Sequence, residues 1–386
     1  MQEDINSKGT LHLVCFNNPY PPDYGGVIDV FFKVKALHES GVRLILHCFV
    51  YGRRPMPELA RWCETVYYYK RPLWPHYLLH SLPFIVVSRQ NPTLLRNLLA
   101  DDAPVLLEGL HCTAFLDTLI NHGKRVAVRC HNVEHDYYRH LAQATRHPFK
   151  RLYYYLESRK LKRFEPILKK ATYLFSLSVN DQKWFSSQYG SAELLPVFHS
   201  NYDVTCLPGR GQYLLMHGNL SVRENEMSIE YLLAQVLKDS DYPIVIAGKN
   251  PTAHLRRVVA RYPNAMLFSN PDEAKMLKIQ QDAHVILLHS HQPTGIKLKL
   301  LSSLANGRFV VANGHVLNGS GVEALCDSAE TVEQWKDLIK KRWEMDFPLQ
   351  CIDERRAVLM RNFDNLAHAN RLIQVLMNDA PLNECC

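Results

Sequence analysis

A short apolar run followed by a turn and a helical pattern leaves this chain few folds to choose from. Val285-Ile-Leu-Leu288 reads as a buried parallel strand, and Pro293 and Gly295 then break the pattern. From Ile296 the apolar residues fall at Leu298, Leu300, Leu301, Leu304 and Ala305, a helical spacing. Gly307 stands where a C-cap glycine belongs, and Phe309-Val-Val-Ala312 reads as the next strand. The unit predicted is strand–loop–helix–strand, with the loop feeding a helix N-terminus. Free backbone N–H groups at such an end attract anions, and Lys297 and Lys299 add positive charge in the first turn. A phosphate-bearing ligand suits that chemistry. Such units are also common without one, and an early helical lysine is ordinarily solvated, so both readings stand on this stretch alone.

The same alternation runs through the chain. Residues 11–16 read as a first strand, a proline-rich loop leads to Gly25-Gly26, and a helix follows over 27–40. The paired glycines let backbone approach a ligand closely, but they are not the Gly-x-Gly-x-x-Gly fingerprint, which disfavours NAD. Strands are predicted at 42–50, 66–69, 105–107 and 125–130, with a helix over 113–121. After a connection between Pro196 and Gly211 a second alternating series begins at Tyr213, with strands at 242–247 and 265–269 before the opening unit. One closing helix is expected over 351–377. Strands alternating with helices imply parallel sheets with helices on both faces, that is, an α/β fold of two doubly wound halves.

At 386 residues the chain exceeds one ordinary core, which supports two halves. A net charge of +7 favours anionic partners. Ten cysteines without a Cys-x-x-Cys pair point to reduced thiols in a cytoplasm and against a disulfide framework or zinc site. The polar first residues are unlike a secretory signal, and no run is long enough to span a membrane.

In doubly wound sheets ligands sit at the carboxyl ends of strands, where three polar groups are predicted. These are the Gly25-Gly26 loop, the segment from Glu108 to His111, and Arg129-Cys-His-Asn-Val-Glu134. His131, directly after an apolar strand, is placed either to face a ligand or to satisfy its own loop. Two stretches look unlike core. Residues 73–87 are apolar and broken by proline, and residues 139–170 carry ten Lys/Arg against two Glu, with Tyr153-Tyr-Tyr155 among them. Basic helices with interleaved aromatics suit an anionic membrane surface, a nucleic acid or a merely solvated face. The absence of a recognised nucleic-acid module disfavours the second.

Five segments resemble, in order, those of the GT-B fold retaining glycosyltransferases, in the glycosyltransferase family 4-like group that serves bacterial polysaccharide assembly. They are Pro19 to Gly26, Arg129-Cys-His-Asn-Val-Glu134, Gly218-Asn-Leu-Ser221, Ile246-Ala-Gly-Lys249, and Thr294-Gly-Ile-Lys-x-Lys with Ala-x-Gly-x-x-Val-Val behind it. The resemblance implies two Rossmann-like domains facing across a cleft: an acceptor-side domain over 1–205, a nucleotide-sugar domain over 206–350, and a C-terminal helix in 351–386 packing back on the first. It implies transfer of a hexose from a nucleotide-sugar donor to a glycan or lipid-linked acceptor with retained configuration. No metal or other cofactor is expected, since no Asp-x-Asp motif stands at a strand end, and no nucleic-acid partner is expected. The reduced thiols with the two stretches unlike core lead to the expectation of a cytoplasmic protein peripheral to the inner membrane face. His131 would contact the donor sugar as the catalytic residue. Gly25, Gly26, Arg223, Lys249, Thr294, Gly295, Ile296, Lys297 and Ser302 would bind the donor.

One departure bears on that assignment. The family usually carries two glutamates eight positions apart in its C-terminal motif, and the corresponding residues here are Thr294 and Ser302. Ser302 removes the carboxylate that holds ribose, and a charge-assisted bond is roughly twice as strong as a neutral one. The usual Arg-x-x-x-x-Lys pair is also lacking in clear form. Arg223 is its nearest arginine, with Lys297 in the lysine's stead. These departures favour, as an alternative, a degenerate non-catalytic nucleotide-sugar-binding protein. A nucleotide-sugar 2-epimerase, the other alternative, shares the two-half architecture but would be expected to bring further acidic residues to the cleft.

Overall fold

The computed structural model describes residues 8–145, 147–200, 203–292, 295 and 297–377. Thr294 and Ile296 lie outside them. The chain divides into two compact units, residues 1–200 with 363–386, and residues 201–362.

The first unit is built on seven parallel strands: β1 (Thr10–Cys15), β2 (Arg43–Val50), β3 (Thr65–Lys70), β4 (Val105–Glu108), β5 (Val126–Cys130), β6 (Tyr173–Ser176) and β7 (Glu193–Leu194). Their order is β3-β2-β1-β4-β5-β6-β7. The central strands are apolar on both faces because helices cover both, as parallel sheets require. One face packs on the helix Gly25–Glu39, through Val30, Phe31, Val34 and Leu37. The other packs on the helices that follow β4 and β5.

The second unit repeats the plan with β8 (Tyr213–Asn219), β9 (Ile244–Lys249), β10 (Ala265–Ser269), β11 (Ala283–Leu288), β12 (Phe309–Ala312) and β13 (Asp327–Ser328). The order, β10-β9-β8-β11-β12-β13, matches the first six strands of the other sheet, and all pairs are parallel. Each unit is therefore doubly wound, with the change of winding direction beside its first strand.

Several boundaries differ from the sequence expectation. The helix expected over 113–121 is a 3-10 turn, Leu110–Phe115, leading into a short helix, Leu116–Asn121. The helix expected from Ile296 runs over Leu298–Asn306, with Lys297 as N-cap. Gly307 does not close it in a left-handed conformation (φ −101°). Glycine is needed there because a Cβ would lie 2.2 Å from Ile286 Cδ1 on β11. The single closing helix is two, Leu349–Phe363 and Asn365–Met377, because Asp364 Oδ1 accepts from the amides of Leu366 and Ala367 and starts a new helix. The last helix belongs to the first unit and buries Ala369, Leu372, Ile373 and Leu376 in its core.

Candidate functional site

At the carboxyl end of β5, Arg129 in the strand and His131 just after it meet charges supplied by the first helix and by β4. Asp29 and Lys33 stand four residues apart on the otherwise apolar face of Gly25–Glu39, so both are buried. Arg129 grips Asp29 with two bonds, Nη1 to Oδ2 at 2.5 Å and Nη2 to Oδ1 at 2.9 Å. Lys33 Nζ donates to Glu108 Oε1 at 2.6 Å and to Asp29 Oδ2 at 3.3 Å. The two cations and two carboxylates balance, and all four are buried. Burial alone would raise both carboxylates, but Arg129 and Lys33 outweigh it and hold Asp29 and Glu108 below their ordinary range.

His131 Nε2 lies 2.7 Å from Glu108 Oε2. An ionised carboxylate only accepts, so Nε2 carries the hydrogen and a neutral ring presents Nδ1 as an acceptor. The ring packs edge-on against Phe16 at 5.4 Å. This is the geometry of a histidine whose orientation and tautomer are fixed from behind. Asp29, Glu108 and His131 could also converge on a cation, but Lys33 and Arg129 already occupy those carboxylates and would repel one.

In the second unit polar groups gather after β8, β11 and β12. Lys299 Nζ donates to Asn225 Oδ1 at 3.1 Å and reaches the His289 carbonyl at 3.5 Å. Glu224 Oε1 accepts from Ser290 Oγ at 2.6 Å and from the His291 amide at 3.2 Å. Lys297 is pushed down to about 8 by burial, partly offset by Glu224, and Lys299 is lowered for the same reason. Two lysines thus stand close together near Glu224, at the head of one helix.

The other sequence candidates are placed as follows. Gly25 and Gly26 form the first turn of their helix, where a Cβ on Gly26 would come within 2.9 Å of the Phe16 ring. Lys249 is exposed at the end of β9. Gly295 takes a positive φ of 73° in the loop before the Leu298–Asn306 helix. Arg223 is more than half exposed and pairs with Glu226 at 2.9 Å and Glu230 at 3.1 Å, so its charge is spent within its own helix. Ser302 Oγ donates to the Lys299 carbonyl at 3.1 Å and accepts from Gln280 Nε2 at 3.2 Å, so its single proton is already committed. Sequence reasoning did not single out Asp29, Lys33, Glu224 or Asn225. A signal existed for the first two, since charges four apart on an apolar helical face are either mistakes or partners.

No family model matches the sequence. The full chain superposes on solved structures that share its two-sheet plan. It matches sucrose-phosphate synthase from Thermosynechococcus elongatus with a TM-score of 0.67 at 14% identity, over 95% of this chain and 98% of that one. The fold is GT-B. An α,α-trehalose-phosphate synthase (UDP-forming) from Burkholderia xenovorans, solved with glucose-6-phosphate, gives 0.60 at 10% identity over 96% and 100%. By sequence the chain is 25% identical over 329 residues to an uncharacterised 44.6 kDa protein in the cps region of Klebsiella pneumoniae, spanning 80% of this chain and 84% of the relative. Likeness at these identities carries the fold, and the chemistry has to be argued from the side chains.

Proposed function

We propose that this protein is a glycosyltransferase that moves a hexose from a nucleotide-sugar donor to a glycan or lipid-linked acceptor with retention of configuration. The observation that carries the reading is the pair Lys297 and Lys299, two positions apart at the head of the Leu298–Asn306 helix and both lowered by desolvation. Charge gathers on a diphosphate leaving group as the glycosidic bond breaks, and preorganised cations there stabilise the transition state more than the ground state. His131 Nδ1 contributes a fixed acceptor for a sugar hydroxyl. The synthase from Burkholderia xenovorans is named as UDP-forming, a chemistry of this class on the same fold.

The test is thermal unfolding and turnover against UDP-, GDP-, ADP- and dTDP-sugars. A ligand at one hundred times its Kd adds about 2.7 kcal/mol of stability. A donor that stabilises the protein, and stabilises Lys297→Ala much less, is the expected result. Indifference of both proteins to all four donors overturns the assignment. A second reading, a nucleotide-sugar-binding protein without turnover, is favoured by the commitment of the Ser302 hydroxyl inside its own domain. Stabilisation without transfer to any acceptor separates it.

The reading includes a place of work at an anionic membrane surface. Among the described residues no helix is long and apolar enough to cross a membrane. The 3-10 turn Pro75–Leu79 and the helix Pro148–Phe164 are joined by Lys160 Nζ to the Leu78 carbonyl at 2.7 Å. Leu79 and Phe149 are 91% and 78% exposed, and Lys150, Arg151 and Arg159 are exposed on the same helix. Apolar side chains rimmed by cations suit lipid headgroups, at about 1 kcal/mol per basic residue. Co-sedimentation with phosphatidylserine vesicles should be strong in low salt and lost in high salt. Absence of binding in low salt removes this part of the reading.

A further inference from the structure

Two arginines in the first unit have, among the described residues, no carboxylate within 4 Å. Arg71 directly follows β3, and Arg89 follows the short helix Phe84–Val87. Both are buried, and both guanidinium groups lie over the ring of Tyr51, at 4.3 Å for Arg71 and 5.7 Å for Arg89. Among the described residues Arg89 is hydrogen-bonded by backbone carbonyls: Nη1 donates to Ile85 O at 2.6 Å, and Nε and Nη2 donate to Phe16 O at 3.1 and 2.9 Å. Carbonyls orient a guanidinium without neutralising it. Arg71 Nε donates to Ser88 Oγ at 2.9 Å. Among the described residues its two terminal amino groups have no hydrogen-bond partner, and neither arginine has a carboxylate within 4 Å.

The nearby titratable groups do not supply the missing charge. Glu134 is raised to about 8 by burial, so at neutral pH it is largely uncharged. His111 is held neutral by burial and by the charges of Arg89 and Arg71. Burial and then the charge of Arg89 lower Arg71 to about 10, the mark of like charges confined together. Two desolvated cations are costly unless an anion joins them. We infer that Arg71 and Arg89 form a phosphate-binding pocket at the carboxyl edge of the first unit's sheet, and that its occupant is the phosphate or diphosphate group of the acceptor. A planar guanidinium with free terminal N–H groups is matched to phosphate oxygens, and two of them match a dianion.

The surroundings suit a phosphate carried on a lipid as well as a soluble one. The Phe84 ring lies 5.7 Å from the Arg71 guanidinium carbon and 6.3 Å from Tyr77, which is 5.7 Å from the exposed Trp74. Aromatic surface therefore leads from the pocket to the apolar turn Pro75–Leu79. The word acceptor rests on the transferase reading, but occupancy of the pocket does not, because it is measured without a sugar donor.

The experiment is calorimetric titration of the full chain with inorganic pyrophosphate, with UDP present at saturation to occupy the lysine-lined site of the other unit. A parallel arm measures capture of phosphatidylcholine vesicles with and without a prenyl phosphate. Arg71→Gln keeps the Ser88 bond within reach of its amide, and its melting temperature is checked against the parent. Arg71→Lys, which keeps charge but loses the fork, guards against a variant that fails to fold. The expected result is pyrophosphate binding that falls at least tenfold in Arg71→Gln and less in Arg71→Lys. Vesicle capture that requires the prenyl phosphate and Arg71 assigns a lipid-linked acceptor. Pyrophosphate binding without such capture assigns a soluble phosphorylated one. Absence of binding in both arms, or binding unchanged in Arg71→Gln, overturns the pocket.

Discussion

His131 illustrates how a side chain is oriented by what stands behind it. Its Nε2 bonds Glu108, which orients the ring and, whenever the ring is neutral, leaves Nδ1 as the acceptor. His131→Ala should lower kcat by about 100-fold or more, within the range of a lost acid–base or orienting group, while the melting temperature moves little. Unchanged turnover in steady-state assays removes His131 from the chemistry. Other histidines make the fold sensitive to acid. His47, buried between His12 and Tyr69 at 2.8 Å from each, is pushed down to about 3, and burial takes His217 and His289 to about 3 as well. Below pH 6.5 the unfolded chain takes up protons that the folded chain refuses, so stability falls as pH falls, by about 1.4 kcal/mol per pH unit for each such histidine. Glu134, raised to about 8, and Glu165 and Asp181, also raised by burial, run the other way. Urea midpoints measured between pH 7 and 5 should decline, and His47→Gln should flatten the decline.

At the scale of elements, the unit β11–helix–β12 depends on how closely the helix end approaches the strand beneath it. A Cβ at Gly307 would overlap Ile286 and lie 3.0 Å from the Ser303 carbonyl, both parts of a packed core. Gly307→Ala should therefore destabilise the second unit by about 1–3 kcal/mol, the usual cost of overpacking. Shortening the opposing side chain, as in Gly307→Ala with Ile286→Val, should recover part of that loss in thermal melts. Equal melting of Gly307→Ala and the parent would show that the helix end relaxes freely. The cap glycine read from sequence pattern was correctly located, but its physical reason is packing, not a left-handed turn.

At the scale of the whole molecule, the first unit is completed by the far end of the chain. Asn365 holds the His199 carbonyl and amide at 2.6 and 3.2 Å, and the helix Asn365–Met377 fills the face beside Gly25–Glu39. Leu372 is wholly buried there, so Leu372→Ala should cost about 2–5 kcal/mol. The loss should fall on the first unit: limited proteolysis of the variant should cut within 1–200 while 201–362 stays protected. Equal cleavage of both units would mean that the two do not unfold as separate bodies.

The alternation of apolar runs and helical spacings was enough to place both parallel sheets, because strand and helix periodicities are local and strong. His131 was also legible, since a polar residue directly after a buried strand must emerge at the sheet edge. Local pattern could not supply the partners. Lys33 and Glu108 are 75 positions apart, and Asp29 and Arg129 are 100 apart, so only the winding of the sheet brings them together. Nor could sequence show that Arg223 is engaged by Glu226, that Ser302 has committed its proton, or that Arg71 and Arg89 share one ring and, among the described residues, have no carboxylate within 4 Å. Charge balance is a sum over neighbours in space, and the tertiary fold alone decides which residues are neighbours.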